Sequence, residues 1–173
     1  MAGERGSGIG IRGYEKDDAP RIARLFHETV HSVNRADYSA EQAWAWSPEV
    51  PDPESWHARM SSRCTLVAER RNEKGDEVIA FAELEENGHL DMFYCRRDSV
   101  GRGVGSRLYA SVEREARERG LHLIFTEASI TARPFFERHG FSTLEERVVV
   151  RRGVELTSFR MQKPLGFRGG VAL

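Results

Sequence analysis

Residues 88–127 constrain the fold of this chain more than any other stretch. GHLDMFYC (Gly88–Cys95) is patterned as a strand, and the glycine-rich SVGRGVGS follows it. From about Arg102 to Arg119 the sequence is strongly helical, with Val104, Leu108, Val112 and Ala116 four apart on one face. Glu113 with Arg117 and Glu115 with Arg119 form i,i+4 pairs on the other face, and Gly120 stops the helix. Leu121–Glu127 (LHLIFTE) is then a near-continuous apolar run, as expected of a buried parallel strand. Strand, glycine loop, helix and strand in this order predict a βαβ unit at the centre of the molecule.

The loop has its own chemistry. Gly101, Gly103 and Gly105 stand before a helix N-terminus, where unpaired backbone N–H groups and the helix dipole favour an anion, most naturally a phosphate. Without Cβ atoms the backbone can approach phosphate oxygens closely, and Arg102 adds positive charge. A tight turn holding nothing has the same letters. A nucleotide P-loop needs Lys after its last glycine, whereas Ser106 and Arg107 follow Gly105. The dinucleotide fingerprint GxGxxG is met only as GxGxG with Ser106 in the last place, although Glu127 ends the next strand where a ribose-binding acid belongs. Only 46 residues follow Glu127, too few for the usual six-stranded dinucleotide fold.

The remaining pattern fits around this unit. A length of 173 residues suits one domain, expected over 9–165 between flexible tails at 1–8 and 166–173. Ile9, Ile11 and Tyr14 suggest a strand, and Asp17-Asp18-Ala19-Pro20 opens a helix that carries Ile22, Leu25, Phe26 and Val30 toward about Asn34. Ser39 and Gln42 form a capping box for a short helix with Trp44 and Trp46, which Pro48, Pro51 and Pro53 are expected to end. Glu54–Ser61 reads as helix, and Cys64–Glu69 with Glu77–Glu83 as a hairpin around Asn72–Asp76. Thr131–His139 is a short helix capped by Gly140, and Ser142–Val150 with Val154–Gln162 closes the chain as an antiparallel hairpin around Arg151-Arg152-Gly153. Twenty-six basic against 27 acidic residues leave a net charge of -1, so no global field draws nucleic acid or anionic lipid, and neither is expected as a partner. Cys64 and Cys95 have neither disulfide-framework nor metal-ligand spacing, and no apolar run approaches the roughly 18 residues of a membrane span, so a cytoplasmic setting is expected.

The chain resembles the GNAT superfamily of acetyl-CoA-dependent N-acetyltransferases. The likeness runs from IRGYEKDDAPRIARLF to the last strand, and is strongest over LDMFYCRRDSVGRGVGSRL and ITARPFFERHGF. Within the superfamily it is most similar to a small bacterial branch with a DYS-x-E-Q-x-x-A-W segment, here Asp37–Trp46, and an LDM strand, here Leu90–Met92. The resemblance implies an α/β fold with a mixed, splayed sheet and helices on both faces. It also implies acetyl-CoA as the acyl donor, without a metal. Backbone groups near Phe93, Tyr94 and Cys95 would pair with the pantetheine arm, and the N–H groups of Gly101, Arg102, Gly103, Val104, Gly105 and Ser106 would hold the pyrophosphate. Slot-facing Ser129 and Phe136 complete the expected cofactor contacts, and an N–H near Phe93 would polarise the thioester carbonyl.

Three positions depart from the family pattern. Val100 stands where Arg or Gln is usual, and Ser129 where Asn is common. Phe136 replaces the tyrosine that often protonates the departing thiolate, so Tyr94, Tyr38, Cys95 or water must substitute. For the base that deprotonates the amine, the candidates are Asp91, His89 and Glu83. His89 aligns with a catalytic Glu of some family members and shares strand parity with Asp91 unless a bulge intervenes. Asp91, flanked by Leu90 and Met92, is costly to bury without a partner. The expected activity is transfer of acetyl to a primary amine by direct attack in a ternary complex. The acceptor is a small-molecule amine or a protein lysine or N-terminus, bound by Tyr38–Pro53 and the 151–153 turn. A CoA-binding module without catalysis and a nucleotide-binding protein are the alternatives, and edge pairing of the closing hairpin allows a homodimer.

Overall fold

The computed structural model describes residues 8–166; the expected tails lie, apart from Gly8 and Gly166, outside the described residues. The elements run β1 (Ile9–Gly13), α1 (Ala19–Ser32), α2 (Ala40–Trp46), α3 (Pro53–Ser61), β2 (Cys64–Asn72), β3 (Gly75–Leu84) and β4 (Leu90–Cys95). They continue with α4 (Val104–Glu118), β5 (Leu123–Ser129), α5 (Arg133–Arg138), β6 (Ser142–Arg151) and β7 (Val154–Pro164).

The strands form two antiparallel sheets, ordered β1-β2-β3-β4 and β5-β7-β6. The expected parallel pairing of the βαβ unit survives at one end only, as a single bridge between His89 and Phe125. There the Phe125 N–H donates to Gly88 O (3.1 Å), and Thr126 Oγ1 donates to Leu90 O (2.7 Å). Gly88 permits this approach: at φ +91 a Cβ would lie 2.2 Å from Leu123 O. Beyond the bridge the two sheets diverge, so the mixed sheet is splayed.

Helices cover both faces. Leu108, Val112 and Ala116 of α4 pack with Ala80, Ala82, Phe136 and Met161 in one core cluster. Ile22, Phe26 and Val30 of α1 pack with Trp56, Val67 and Phe81 in the other. Adjacent strand residues thus serve opposite cores, as for Phe81 between Ala80 and Ala82, which is why β2 and β3 read as continuous apolar runs. Truncating Leu108, fully buried, to Ala would cost about 2–5 kcal/mol.

Several local expectations change. Pro53 opens α3 instead of closing α2, with Asp52 Oδ2 accepting from the Ser55 N–H (2.9 Å). Asp18 does not cap α1 with its side chain; its carboxylate accepts from Arg12 (2.7 and 2.9 Å) and from the Glu15 N–H (2.9 Å). Helix α4 starts at Val104, which leaves Arg102 in the loop. In the closing hairpin Arg152 (φ 50) and Gly153 (φ 78) both take the left-handed conformation that a tight two-residue turn requires.

Candidate active site

The divergence of β4 from β5 opens a cleft with two cavities, of about 440 and 580 Å³. Trp46, Asp91, Tyr94, Glu127 and Ser129 line both. The two cavities therefore adjoin at this junction.

The smaller cavity runs along β4 to the glycine loop. Gly101 (φ +74) and Gly103 (φ +80) adopt backbone shapes that L side chains rarely take, and space at each Cβ position is open. Gly105 is excluded from larger side chains differently, since a Cβ there would lie 3.0 Å from the Phe135 ring. The three glycines and Ser106 line the cavity, whereas the Val104 side chain is buried in the core and Arg102 is not among the lining residues. Arg138, from the last turn of α5, supplies a cation there that the sequence reading missed.

Backbone alternation also serves the cleft. The Arg96 N–H donates to Ile79 O on β3 (2.8 Å), so the backbone groups of Phe93 and Cys95 turn to the opposite, cleft side of β4. Thr29 Oγ1 donates to the Cys95 carbonyl from that side (3.4 Å). Ser129 Oγ accepts from Ala132 N (3.0 Å) and Asn34 Nδ2 (3.5 Å), which leaves its own O–H to donate. Thr131 Oγ1 is buried in the lining with no hydrogen-bond partner among the described residues, a polar atom suited to a ligand. Phe136 is 2% exposed and packs against Phe93, Phe135 and Phe141, so it is cavity wall and core at once.

The three candidate bases fall in different surroundings. Glu83 is wholly buried and lines neither cavity; Arg59 donates to it through Nε (3.0 Å) and Nη2 (2.9 Å), and Arg63 also binds it. Asp91 lies at the junction, but the same two guanidiniums hold it, Arg63 at 3.0 Å and Arg59 more closely. A bulge opposite Glu83 and Leu84 takes Asp91 out of register with β3, yet Asp91 and His89 still converge, with their ligand atoms within 4.8 Å. His89 lines neither cavity: its ring stacks on Phe125 at 4.9 Å, and Nε2 donates to Glu127 Oε2 at 2.5 Å. Glu85, His89 and Asp91 converge as potential metal ligands, yet the Arg63 guanidinium already sits 2.9 Å from Glu85 and 3.0 Å from Asp91.

Glu127 is thus the junction carboxylate that no arginine pairs with among the described residues. From the sequence alone it fits only the place of a ribose-binding acid. The cue that singled out Asp91, a carboxylate inside an apolar strand, applies equally to Glu127 within LIFTEAS.

The proton donors differ as well. Burial pushes the Tyr94 hydroxyl above its ordinary value, with the Trp46 indole and the Arg151 guanidinium acting the other way. Burial raises the Cys95 thiol to about 11. Tyr38 has its hydroxyl committed, donating to Thr157 O (2.6 Å) and accepting from Ile130 N (2.9 Å).

The larger cavity lies between the α2–α3 stretch and the closing hairpin. Tyr38, Trp46, Glu49, Pro51, Arg151 and Arg152 contribute to it, whereas Trp44 is 52% exposed on the outer side of α2 and lines neither cavity.

An α/β scaffold whose diverging sheets expose a strand backbone beside a glycine-rich helix start, with a second cavity meeting the first, defines a group-transfer enzyme that binds a phosphate-bearing donor. The chain belongs to the GNAT acetyltransferase family: the model of the acetyltransferase (GNAT) domain matches residues 34–163. It is similar to the uncharacterized N-acetyltransferase YafP of Escherichia coli (strain K12), 29% identical over 154 residues that cover 89% of this chain and 95% of that one. Among solved structures it is similar to a GCN5-related N-acetyltransferase from Rhodopseudomonas palustris, with 32% identity, TM-score 0.82 and coverage of 94% and 100% of the two chains. The paia N-acetyltransferase of Thermoplasma acidophilum, solved in complex with coenzyme A, shares the fold at 18% identity and TM-score 0.72, with coverage of 91% and 99%. The dinucleotide-binding alternative is overturned, because the strands form antiparallel sheets instead of a doubly wound parallel one.

Proposed function

We propose that this protein is an N-acetyltransferase that uses acetyl-CoA and passes the acetyl group directly to a primary amine in a ternary complex. The observation that carries this reading is the junction: five residues line both cavities, which would let donor and acceptor meet without a carrier residue between them. When bound, acetyl-CoA supplies an acetyl group already activated as a thioester. The N–H groups of 101–106 and the Arg138 guanidinium would hold its phosphates, with the Ser129 and Thr131 hydroxyls and the cleft-side backbone of Phe93 and Cys95 along the arm. The Phe93 N–H would polarise the thioester carbonyl.

The amine attacks only as a neutral base, so the site must take up a proton. Glu127 takes it. His89 acts as a positioning residue, since its Nε2–H fixes one carboxylate oxygen of Glu127, which lines both cavities. Asp91 and Glu83 are held by arginines and serve structure: they anchor α3 to β3 and β4. Tyr94, the hydroxyl at the junction, donates to the departing thiolate in place of the tyrosine that Phe136 replaces, and water restores its proton.

Phe136 favours one rival reading, a module that binds CoA without transfer. Release of CoA thiol, followed with acetyl-CoA and a broad amine panel, separates the two. Amine-dependent release supports transfer, and saturable acetyl-CoA binding with no release above hydrolysis across the panel would establish the binding module instead.

A further inference from the structure

The charged groups that line the larger cavity are Glu49, Asp91 and Glu127 against Arg59, Arg151 and Arg152. Their pairing is uneven. Asp91 is matched by Arg59, and Glu127 by His89. Arg152 donates Nη1 to Ala45 O (2.8 Å). The Arg151 side chain makes no hydrogen bond or ion pair with another described residue, and neither does the Glu49 carboxylate.

Arg151 is exposed, but the hairpin backbone that carries it is fixed. Besides the Arg152 contact, Gln42 Nε2 donates to Glu155 O (2.9 Å) and the Tyr38 hydroxyl to Thr157 O (2.6 Å), so the end of the hairpin is fastened to the α2 segment at three points. Arg152 itself takes the left-handed backbone (φ 50) that a non-glycine residue adopts at some cost, offset here by its bond to Ala45. The turn thereby fixes the backbone from which the unpaired Arg151 side chain lines the cavity. Glu127 stands at the junction, and Phe26, Trp46 and Trp56 give the same cavity aromatic walls. A guanidinium binds a carboxylate through two parallel hydrogen bonds, a match that an amine without an acid group leaves unmade.

We propose that the acceptor is an amine that carries its own carboxylate, a free amino acid or a close relative, with its nitrogen at Glu127 and its carboxylate on Arg151. This rests on the acetyl-transfer reading above and specifies its substrate class. In the step, the C–N bond to the amino nitrogen forms as the thioester C–S bond breaks; the amine loses one proton, the thiolate gains one, and the products are an N-acetyl amino acid and CoA.

Matched pairs test this. CoA release is measured with acetyl-CoA and L-phenylalanine against phenethylamine, L-leucine against 3-methylbutylamine, and a lysine-containing peptide with blocked ends. The acid-bearing member of a pair should have the higher kcat/KM by roughly 10- to 100-fold, the scale of one charge-assisted contact in a cavity. Arg151→Gln should collapse that ratio toward one by raising KM for the amino acid, and Arg151→Lys should restore part of it. Equal or faster reaction of the plain amines or of the peptide would overturn the proposal, as would a ratio that Arg151→Gln does not move. Binding of acetyl-CoA with no acetylation of any amino acid would also overturn it. Failure to bind acetyl-CoA would instead overturn the acetyl-transfer reading beneath it.

Discussion

The smaller cavity, proposed for the donor, and the larger one, proposed for the acceptor, share five residues but are built from different material. The donor side is largely backbone: a glycine loop, a helix start and the free edge of β4. The acceptor side is made of side chains from distant segments, with aromatic rings and charges set against each other by α2, α3 and the closing hairpin. A backbone site binds the feature common to all donors, whereas a side-chain site can vary with the acceptor while the fold stays fixed. Mutations on the two sides should therefore have separable effects.

The sharpest separation is expected at the junction. Glu127→Gln should lower kcat by about 100-fold or more, the usual scale of a positioned base, while acetyl-CoA affinity stays near wild type. Asp91→Asn should instead show mainly as lost thermal stability, because it leaves Arg59 and Arg63 short of a partner. Kinetics and melting of the two variants side by side check both statements. Next in size, Gly103→Val should weaken acetyl-CoA binding at least tenfold for every acceptor, since φ +80 costs a β-branched residue about 1–3 kcal/mol and the loop relaxes away from it. Titration of the variant reads this directly. Tyr94→Phe should then reduce turnover about tenfold with donor affinity kept, measured as CoA release under saturating acetyl-CoA.

The smallest expected effect lies outside both cavities. Burial opposes the charge of Glu113, but hydrogen bonds from Lys163 (2.6 Å) and Arg117 (2.7 Å) outweigh it and hold the carboxyl at about 2, below its ordinary 4.5. A depressed carboxyl contributes stability that is complete above the unfolded value and is lost as pH falls toward the folded one. Melting temperature should therefore decline between about pH 4.5 and 2. Glu113→Gln should flatten that part of the profile and leave acetyl transfer near neutral pH as it was.

The same contrast explains what was legible in the sequence. The glycine loop, the α4 stripe and the Ser39 capping box are local patterns set by backbone requirements, and the structure has them where the residues placed them. The splay of β4 from β5 was not readable from periodicity, because an apolar strand beside one parallel bridge has the same letters as one in a full parallel sheet. Nor was the fate of Asp91 and Glu83. Arg59 and Arg63, some 20 to 32 positions away, hold both carboxylates, and no spacing rule connects them. Glu127 was visible as a residue but not as part of the junction, since its place there depends on where two sheets part.

Isothermal titration with acetyl-CoA, with NAD as the control ligand, tests the central claim most directly. Saturable micromolar binding of acetyl-CoA, absence of NAD binding and loss of the acetyl-CoA signal in Gly103→Val are the predicted results. No binding of acetyl-CoA, or equal binding of NAD, would contradict the account, because the glycine loop would then be only a turn.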